Sequence, residues 1–64
     1  MVYIGQTVML LEDLDYCPLT KGELYHVQDT NALALSAKIG KPDNNNLVFD
    51  TWWVEFKYLK AIGD

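Results

Sequence analysis

Few residues in this sequence could carry out covalent or metal chemistry. Cys17 and His26 are the single cysteine and the single histidine among 64 residues, and a thiolate activated by an imidazole is the nucleophile that such a pair could provide. They fall in separate predicted elements, and no third residue is evident that would orient the histidine. A single cysteine also forms neither an internal disulfide nor a CxxC metal or redox pair. We therefore expect no enzymatic activity, no metal site and no cofactor, and a reducing cytoplasm as the compartment.

An acidic run in the first part of the chain is the next candidate. Glu12, Asp13 and Asp15 follow one another closely, without the glycine and distal glutamate that a calcium-binding loop requires. Such a run is commonly a solvated loop. As a functional alternative, its charge could attract a basic segment of a partner over long range.

The run FDTWWVEF, residues 49–56, contains two adjacent tryptophans. In an extended strand Trp52 and Trp53 point to opposite faces, so a single core can hold one of them. Burying one ring removes roughly 150–250 Å² from water, which favours a core position for it in a small domain. The other ring is either a partly covered surface residue or an interface anchor, because tryptophan is enriched at binding hot spots.

Length and charge limit the class of protein. A chain of 64 residues forms a single small domain, residues 1–64, and half of its residues are apolar, as expected for a packed globule. Nine acidic residues outnumber five lysines, arginine is absent, and the net charge is −4. Such a chain is repelled by phosphate backbones and cannot make the bidentate contact to guanine. Nucleic-acid binding is therefore disfavoured, although Lys57 and Lys60 could form a local basic patch.

Neither a secretion signal nor a membrane-spanning run is recognisable in the sequence. The N-terminus lacks a basic segment followed by a long apolar one, and no apolar run approaches the length that a membrane helix requires. We therefore expect no membrane partner.

The apolar pattern predicts short strands separated by loops. TVMLL at 7–11 reads as a buried strand, and 14–22 is rich in turn residues and predicts a long loop. A second strand covers 23–28, where alternation directs Tyr25 and Val27 inward.

The C-terminal third of the chain continues this pattern. A loop is predicted at 40–46, where proline and asparagines favour turns, and the strand 47–54 contains the tryptophans. One turn of helix follows at 55–59, and a last short strand at 60–62.

The segment NALALSAKIG, residues 31–40, has two interpretations. As a helix over 31–39 it would begin with Asn31 as the N-cap and end before Gly40. As a strand it alternates without interruption, and the face that we expect to be apolar consists of Leu33, Leu35, Ala37 and Ile39. We favour the strand, because periodicity is a better guide than helix propensity over a short window. The strand gives an all-β fold, and the helix an α+β fold.

The order of these elements resembles the Src-homology-3-like barrel. In that family a KGE-type diverging turn leads into a strand, and Thr20, Lys21, Gly22 and Glu23 match it. Near its end the family has a small or aromatic residue, an aliphatic residue, and then a proline-initiated 3₁₀ turn that closes on tyrosine and another aliphatic. The positions that resemble this closing segment are Trp53, Val54, Tyr58 and Leu59. The resemblance implies a small five-stranded barrel with a one-turn 3₁₀ helix before the last strand.

The resemblance also bears on the two tryptophans, because it implies that Val54 lies inside the barrel. Counting back from Val54 puts Trp52 inside and Trp53 outside. The odd-numbered residues of 47–54 are nevertheless more apolar than the even-numbered ones, which would put Trp53 inside. A β-bulge could reconcile the two criteria, so the sequence leaves open which ring faces outward.

The sequence departs from the subgroup of this family that binds proline-rich peptides. That subgroup has a tryptophan pair early in its third strand and a proline at the start of the 3₁₀ turn, where Glu55 stands here. Asp15 and Tyr16 are a partial match to its early aromatic run. The chain is more similar to the tiny barrels of bacterial and phage accessory proteins, which share an architecture but not one function.

These features together predict a non-enzymatic protein–protein interaction module in the cytoplasm. From small size, acidity and the family's habits, we expect a phage or mobile-element accessory protein that binds and modulates a host protein. The alternatives are a structural homo-oligomer, joined through the exposed tryptophan face or a free strand edge, and a nucleic-acid-binding barrel. The candidate protein-binding residues are Trp52, Trp53, Tyr16, Glu12, Asp13 and Asp15.

Overall fold

The computed structural model describes residues 2–41 and 50–62. Five strands and one 3₁₀ turn lie in these residues; they are β1 (Thr7–Leu10), β2 (Leu24–Asn31), β3 (Ser36–Gly40), β4 (Trp52–Glu55), the 3₁₀ turn Phe56–Tyr58 and β5 (Leu59–Ala61). No helix in the described part of the chain is long and apolar enough to cross a membrane. The all-β prediction is confirmed, and the alternative of a helix over 31–39 is wrong.

The five strands form one antiparallel sheet in the order β4-β3-β2-β1-β5. Strands β4 and β5 are its two edges within the described residues, and no hydrogen-bonded pairing between them closes it. The three-residue 3₁₀ turn nevertheless connects these edges directly. In a flat sheet four strand spacings would separate them by about 19 Å, whereas the chain from Glu55 to Leu59 reaches at most about 14 Å. The sheet must therefore curve strongly on itself.

A β-bulge in β2 accounts for part of this curvature. The register with β3 shifts between Val27, opposite Ile39, and Asp29, opposite Lys38, so Gln28 is the extra residue. Bulges bend a strand and increase its local twist. Before the bulge β2 pairs with β1, and from His26 onward it pairs with β3. One bent strand thus belongs to both halves of the curved sheet.

The concave side of the sheet holds the core. Tyr25 and Val27 are buried on β2, which confirms the inward face predicted from alternation. The buried cluster draws on every strand and consists of Val2, Val8, Leu10, Tyr25, Val27, Ala37, Ile39, Val54 and Leu59. Burial of such aliphatic groups contributes roughly 1.5–3 kcal/mol for each fully covered side chain. This core fixes the opposite, outer face of each strand toward solvent.

The long loop between β1 and β2 was predicted at 14–22 and covers the residues between Leu10 and Leu24. It closes on the predicted KG turn, where the Glu23 amide donates to the carbonyl of Thr20 at 3.2 Å. Gly22 has a φ of 87°, a left-handed conformation that glycine adopts without steric cost. The Thr20 amide also donates to the hydroxyl of the buried Tyr25 at 2.8 Å. The loop is therefore tied to the core from its C-terminal end.

The segment 31–40 is a hairpin, and part of our prediction for it is wrong. Strand β2 runs to Asn31 and β3 begins at Ser36, with a four-residue turn at 32–35 between them. Ala37 and Ile39 are buried as expected. The leucines at 33 and 35, which we placed on the same inner face, are exposed, because the chain reverses direction where alternation predicted a continuous strand.

The kinds of element predicted for the last third of the chain are confirmed where the structure describes it, but Asp50 and Thr51, predicted within the strand 47–54, precede that strand. The one-turn helix is the 3₁₀ turn Phe56–Tyr58, and the last strand is Leu59–Ala61, one residue earlier than predicted. The strand with the tryptophans begins at Trp52. Most of the predicted loop 40–46, together with residues 47–49 of the predicted strand, lies outside the described residues.

Candidate functional site

Strand β4 separates the two tryptophans onto opposite faces of the sheet. Val54 is fully buried and Trp53 is 45% exposed, while Trp52, which shares the side of Val54, is half-buried. The register between β3 and β4 runs without a shift, so alternation holds and no bulge is needed in β4. Trp53 is therefore the outward ring.

Trp53 lies within a band of polar and charged residues on the outer side of β3 and β4. Its cross-strand neighbour is Lys38, which in turn pairs with Asp29 on β2. Two residues along β4, Glu55 points to the same side, opposite Ser36. We refer to Trp53, Lys38 and Glu55 as the outer β3–β4 face. Trp53 is thus an exposed indole with Lys38 beside it across the sheet and Glu55 two residues along the strand, and tryptophan is enriched at binding hot spots.

A second aromatic group lies beside this face. Partial burial raises the pKa of the Tyr16 phenol above its ordinary value, and repulsion from the neighbouring groups raises it further. These neighbours are Cys17, Glu55 and Tyr58. Tyr16, 56% exposed, therefore lies near both the end of β4 and the 3₁₀ turn. The long loop and the 3₁₀ turn, which are far apart in sequence, thus approach one another.

Backbone and side-chain contacts position Tyr58 in the 3₁₀ turn. The Leu11 amide donates to the carbonyl oxygen of Tyr58 at 2.8 Å, which fixes the start of the loop against the 3₁₀ turn. The Lys57 ammonium lies 5.1 Å from the centre of the Tyr58 ring and 3.8 Å from a carboxylate oxygen of Glu55. The Tyr58 ring is therefore bordered by a lysine and a glutamate.

The structure assigns different surroundings to the three acidic loop residues. A carboxylate oxygen of Asp13 accepts a 2.9 Å hydrogen bond from the Lys21 amide, so this side chain braces the loop between its two ends. Glu12 and Asp15 are exposed. Asp15 directly precedes the exposed Tyr16, so one of the predicted acidic residues lies beside this aromatic side chain.

Cys17 and His26 lie in different parts of the fold. Cys17 is buried in the long loop, next to Tyr16. His26 is half-buried on the outer side of β2, where it pairs with Thr7 and Gly40. Within residues 2–41 and 50–62, no three histidine, cysteine, aspartate or glutamate side chains form a group that could hold a metal ion.

Two surface depressions occur away from the outer β3–β4 face. One, of about 230 Å³, is lined by residues 3–6, and the other, of about 170 Å³, by Thr7, Leu24, Tyr25 and His26. Both are smaller than the usual 300–1,000 Å³ of small-molecule sites. They give no support to a cofactor or substrate pocket.

The turn between β2 and β3 is the exposed apolar feature that sequence reasoning missed. Leu33 is 100% exposed and Leu35 63% exposed. The side chain of Asn31 accepts hydrogen bonds from the amides of Leu33 and Ala34, at 3.1 and 3.2 Å. An asparagine that bonds the backbone two and three residues ahead is a turn signal. That signal was present in the sequence, where Asn31 was considered as a helix N-cap.

Comparisons with known proteins gave no match to this chain among family models, curated proteins or solved structures. The function must therefore be argued from the residues of the outer surface.

Proposed function

We propose that this chain is a non-enzymatic protein-interaction module that binds its partner through the outer β3–β4 face and the adjoining Tyr16 and Tyr58. The observation that carries the proposal is the position of Trp53. Its ring projects from the outer side of a strand whose opposite side is already anchored by the fully buried Val54. The exposed indole contributes little to the core, and aromatic residues of this kind dominate the affinity of protein interfaces.

The charge around Trp53 supports a protein partner with a mixed polar rim. Lys38, Glu55 and Lys57 surround the aromatic side chains with both signs, and the weak 3.8 Å pair between Lys57 and Glu55 is largely exposed. Exposed ion pairs of this kind are worth little to folding. Their charges are therefore available to pair with a partner, which favours specificity and orientation more than affinity.

A capture experiment with matched variants tests the proposal. The immobilised wild-type chain, Trp53→Ala and Tyr3→Ala are exposed to lysate of the source cells, and bound proteins are compared by mass spectrometry. Tyr3 is the control because it is 60% exposed and lies in the N-terminal turn, outside the outer β3–β4 face. We expect a protein that is retained by the wild type and by Tyr3→Ala and is lost from Trp53→Ala. Equal retention by all three chains would contradict the proposal.

A structural homo-oligomer is the second candidate, and the edge position of β4 favours it. The Phe56 amide donates to the Leu35 carbonyl, which makes this a hydrogen-bonded pair of the β3–β4 ladder. Since such pairs alternate with non-hydrogen-bonded ones, the backbone groups of Trp53 and Glu55 point away from β3. An edge of this kind can pair with a second copy. Sedimentation over a range of concentrations tests it, and a strict monomer at high concentration excludes it.

Binding to nucleic acid is the third alternative. The two lysines of the predicted basic patch have different neighbours. Lys57 lies over Tyr58 and beside Glu55, whereas Lys60 pairs with Met9 on the neighbouring strand β1. Retention of the chain on DNA or RNA at physiological salt would rank this alternative first. A cytoplasmic phage or mobile-element accessory role stays a prediction from size and acidity, and identification of the captured protein tests it.

A further inference from the structure

We propose that the β2–β3 tip, defined as Leu33 and Leu35, is an anchor that inserts into an apolar pocket of a protein partner. The inference rests on the proposed function, since the tip extends the outer β3–β4 face. Ser36, the first residue of β3, pairs with Glu55 on that face, and the carbonyl of Leu35 is bonded to Phe56. A partner seated over Trp53 and Glu55 would therefore meet the tip.

Both leucines of the tip are exposed to solvent. Leu33 has no contact that covers it, being 100% exposed, and Leu35 is 63% exposed. Each leucine side chain would gain roughly 1.5–3 kcal/mol on full burial, and the fold leaves most of this unrealised. Tight hairpin turns ordinarily contain glycine, asparagine or aspartate. Two leucines at this position contribute little to the stability of the isolated chain.

The tip is also rigid, because five hydrogen bonds define its shape. Two are the bonds from the amides of Leu33 and Ala34 to Asn31. A third joins the Leu35 amide to the Ala32 carbonyl at 3.3 Å, and a fourth the Ser36 hydroxyl to the Ala34 carbonyl at 3.0 Å. The fifth is the 2.7 Å bond between Leu35 and Phe56.

These bonds lower the cost of binding. Because the turn is already ordered in the free chain, binding does not have to offset the entropy that a flexible turn would lose. The tip is thus presented in one shape before any partner arrives.

The backbone of Leu35 is in the left-handed region, with a φ of 52°. The left-handed region costs an L-residue with a side chain roughly 1–2 kcal/mol, and asparagine or glycine adopts it more readily. Leu35 therefore combines an unfavourable backbone with an exposed apolar side chain. Neither property stabilises the free chain, whereas a pocket that covers the side chain would offset both.

The charges near the tip argue against a lipid surface as the occupant. The charged residues of the adjoining strands and 3₁₀ turn, Asp29, Lys38, Glu55 and Lys57, carry both signs, and the whole chain carries −4. Anionic membranes attract clusters of lysine and arginine, and no such cluster borders the tip among the described residues. An uncharged protein pocket meets no comparable repulsion.

The small area of the tip argues against a second copy. Two leucine side chains bury roughly 200 Å², whereas a stable interface buries about 800 Å² per partner. Tip-to-tip pairing could not hold a dimer. Insertion of the tip into a depression elsewhere on a second copy would be a head-to-tail contact, which continues into open-ended assemblies. Pairing of two copies through the free edge of β4 would join the side of that strand that faces away from β3 and the tip. A different protein, seated on the outer β3–β4 face, is therefore the occupant that fits.

Site-specific photo-crosslinking tests the inference. The chain is prepared with p-benzoylphenylalanine at position 33 or, as a control, at position 3, and is irradiated in lysate of the source cells. We expect a product with a heavier protein from position 33 and none with that protein from position 3. That protein is then purified, and its affinity is measured for wild type, Leu33→Met, Leu33→Ser and Trp53→Ala. Because Leu33 is fully exposed and Trp53 lies outside the core cluster, these variants are expected to fold, and circular dichroism checks that they do.

The inference predicts that Leu33→Ser weakens binding about tenfold or more, while Leu33→Met, which stays apolar, retains it. Weakening by Trp53→Ala with no effect of Leu33→Ser overturns the anchor and leaves the proposed function standing. If neither variant weakens binding, both fail. A product of two crosslinked copies of this chain, co-sedimentation with phosphatidylglycerol vesicles that Leu33→Ser abolishes, or no product from position 33 would each overturn the anchor.

Discussion

The amide of Phe56 donates a 2.7 Å hydrogen bond to the carbonyl oxygen of Leu35. This bond joins the 3₁₀ turn to the β2–β3 tip, although the two residues are far apart in the sequence. It continues the ladder between β3 and β4, in which Ser36 lies opposite Glu55. The tip, the outer β3–β4 face and the 3₁₀ turn therefore form one continuous surface with fixed relative positions. Four predictions follow from how individual residues support that surface.

Trp53→Ala and Val54→Ala should differ in their effect on the free energy of unfolding, although the residues are adjacent. Trp53 is 45% exposed, so its removal should change the free energy of unfolding by less than about 1 kcal/mol. Val54 is fully buried, and loss of its methyl groups should cost about 2 kcal/mol. Urea unfolding measures both. A larger loss for Trp53→Ala than for Val54→Ala would show that the indole is part of the core.

Leu35→Asn should stabilise the free chain. Asparagine tolerates a φ of 52° better than leucine, and relief of that strain should raise the free energy of unfolding by about 1 kcal/mol. Leu33→Asn is the matched control, because Leu33 lies in the same turn without a positive φ. It should leave the urea midpoint unchanged. A gain that both variants share would point to a general effect of polarity in the turn and not to backbone strain.

Asn31→Ala should loosen the tip. Its side chain is the acceptor for two amides of the turn, and loss of a comparable capping side chain typically costs about 1 kcal/mol. Hydrogen exchange at the amides of Leu33 and Ala34 should accelerate. Exchange in β1 should accelerate only by the factor that corresponds to the loss in the free energy of unfolding. Asn31→Asp keeps an acceptor oxygen and should retain the protection. Unchanged exchange at both amides in Asn31→Ala would rule out the cap.

Tyr16 should make stability depend on pH in the alkaline range. Partial burial, with the nearby groups Cys17, Glu55 and Tyr58, raises the pKa of its phenol in the folded state. The folded chain therefore holds this proton more tightly than the unfolded chain. The resulting stability is complete below the unfolded-state pKa of about 10 and is lost as the pH rises through the higher folded-state pKa.

Urea unfolding of wild type and Tyr16→Phe as a function of pH measures this contribution. Above about pH 10, the wild type should lose more stability than the variant, which has no phenol to ionise at this position. The difference between the ultraviolet titration curves of wild type and Tyr16→Phe reports the ionisation of Tyr16. Its midpoint should lie above the ordinary pKa of tyrosine. Parallel curves for the two chains would show that the surroundings of Tyr16 do not disfavour its ionisation.

Local pattern was sufficient to predict most of the strands, because burial on one side imposes a period of two. Tyr25 and Val27 were assigned to the core on this ground, and they lie there. The same rule failed at Leu33 and Leu35. The letters of 31–40 continue to alternate, but Asn31 bonds the backbone ahead of it and the chain turns back. A short window contains the alternation and does not contain the reversal.

The candidate surface was predicted only in part for a related reason. Counting from Val54 identified Trp53 as the outward ring, while the apolar count over 47–54 suggested the opposite. Tyr16 was selected from a partial family resemblance, and its nearness to Glu55 and Tyr58 depends on the curvature of the sheet. Contacts that arise from curvature join distant segments, so no local spacing in the sequence records them.

The bulge at Gln28 has a consequence for how the domain comes apart. Strand β2 supplies hydrogen-bond partners to β1 at one end and to β3 at the other, and His26 pairs with both neighbours. Neither half of the sheet can detach without removing a partner strand from the other. The two halves should consequently unfold in a single all-or-none transition, so that destabilising the β2–β3 hairpin lowers the unfolding midpoint of β1 and β5 as well.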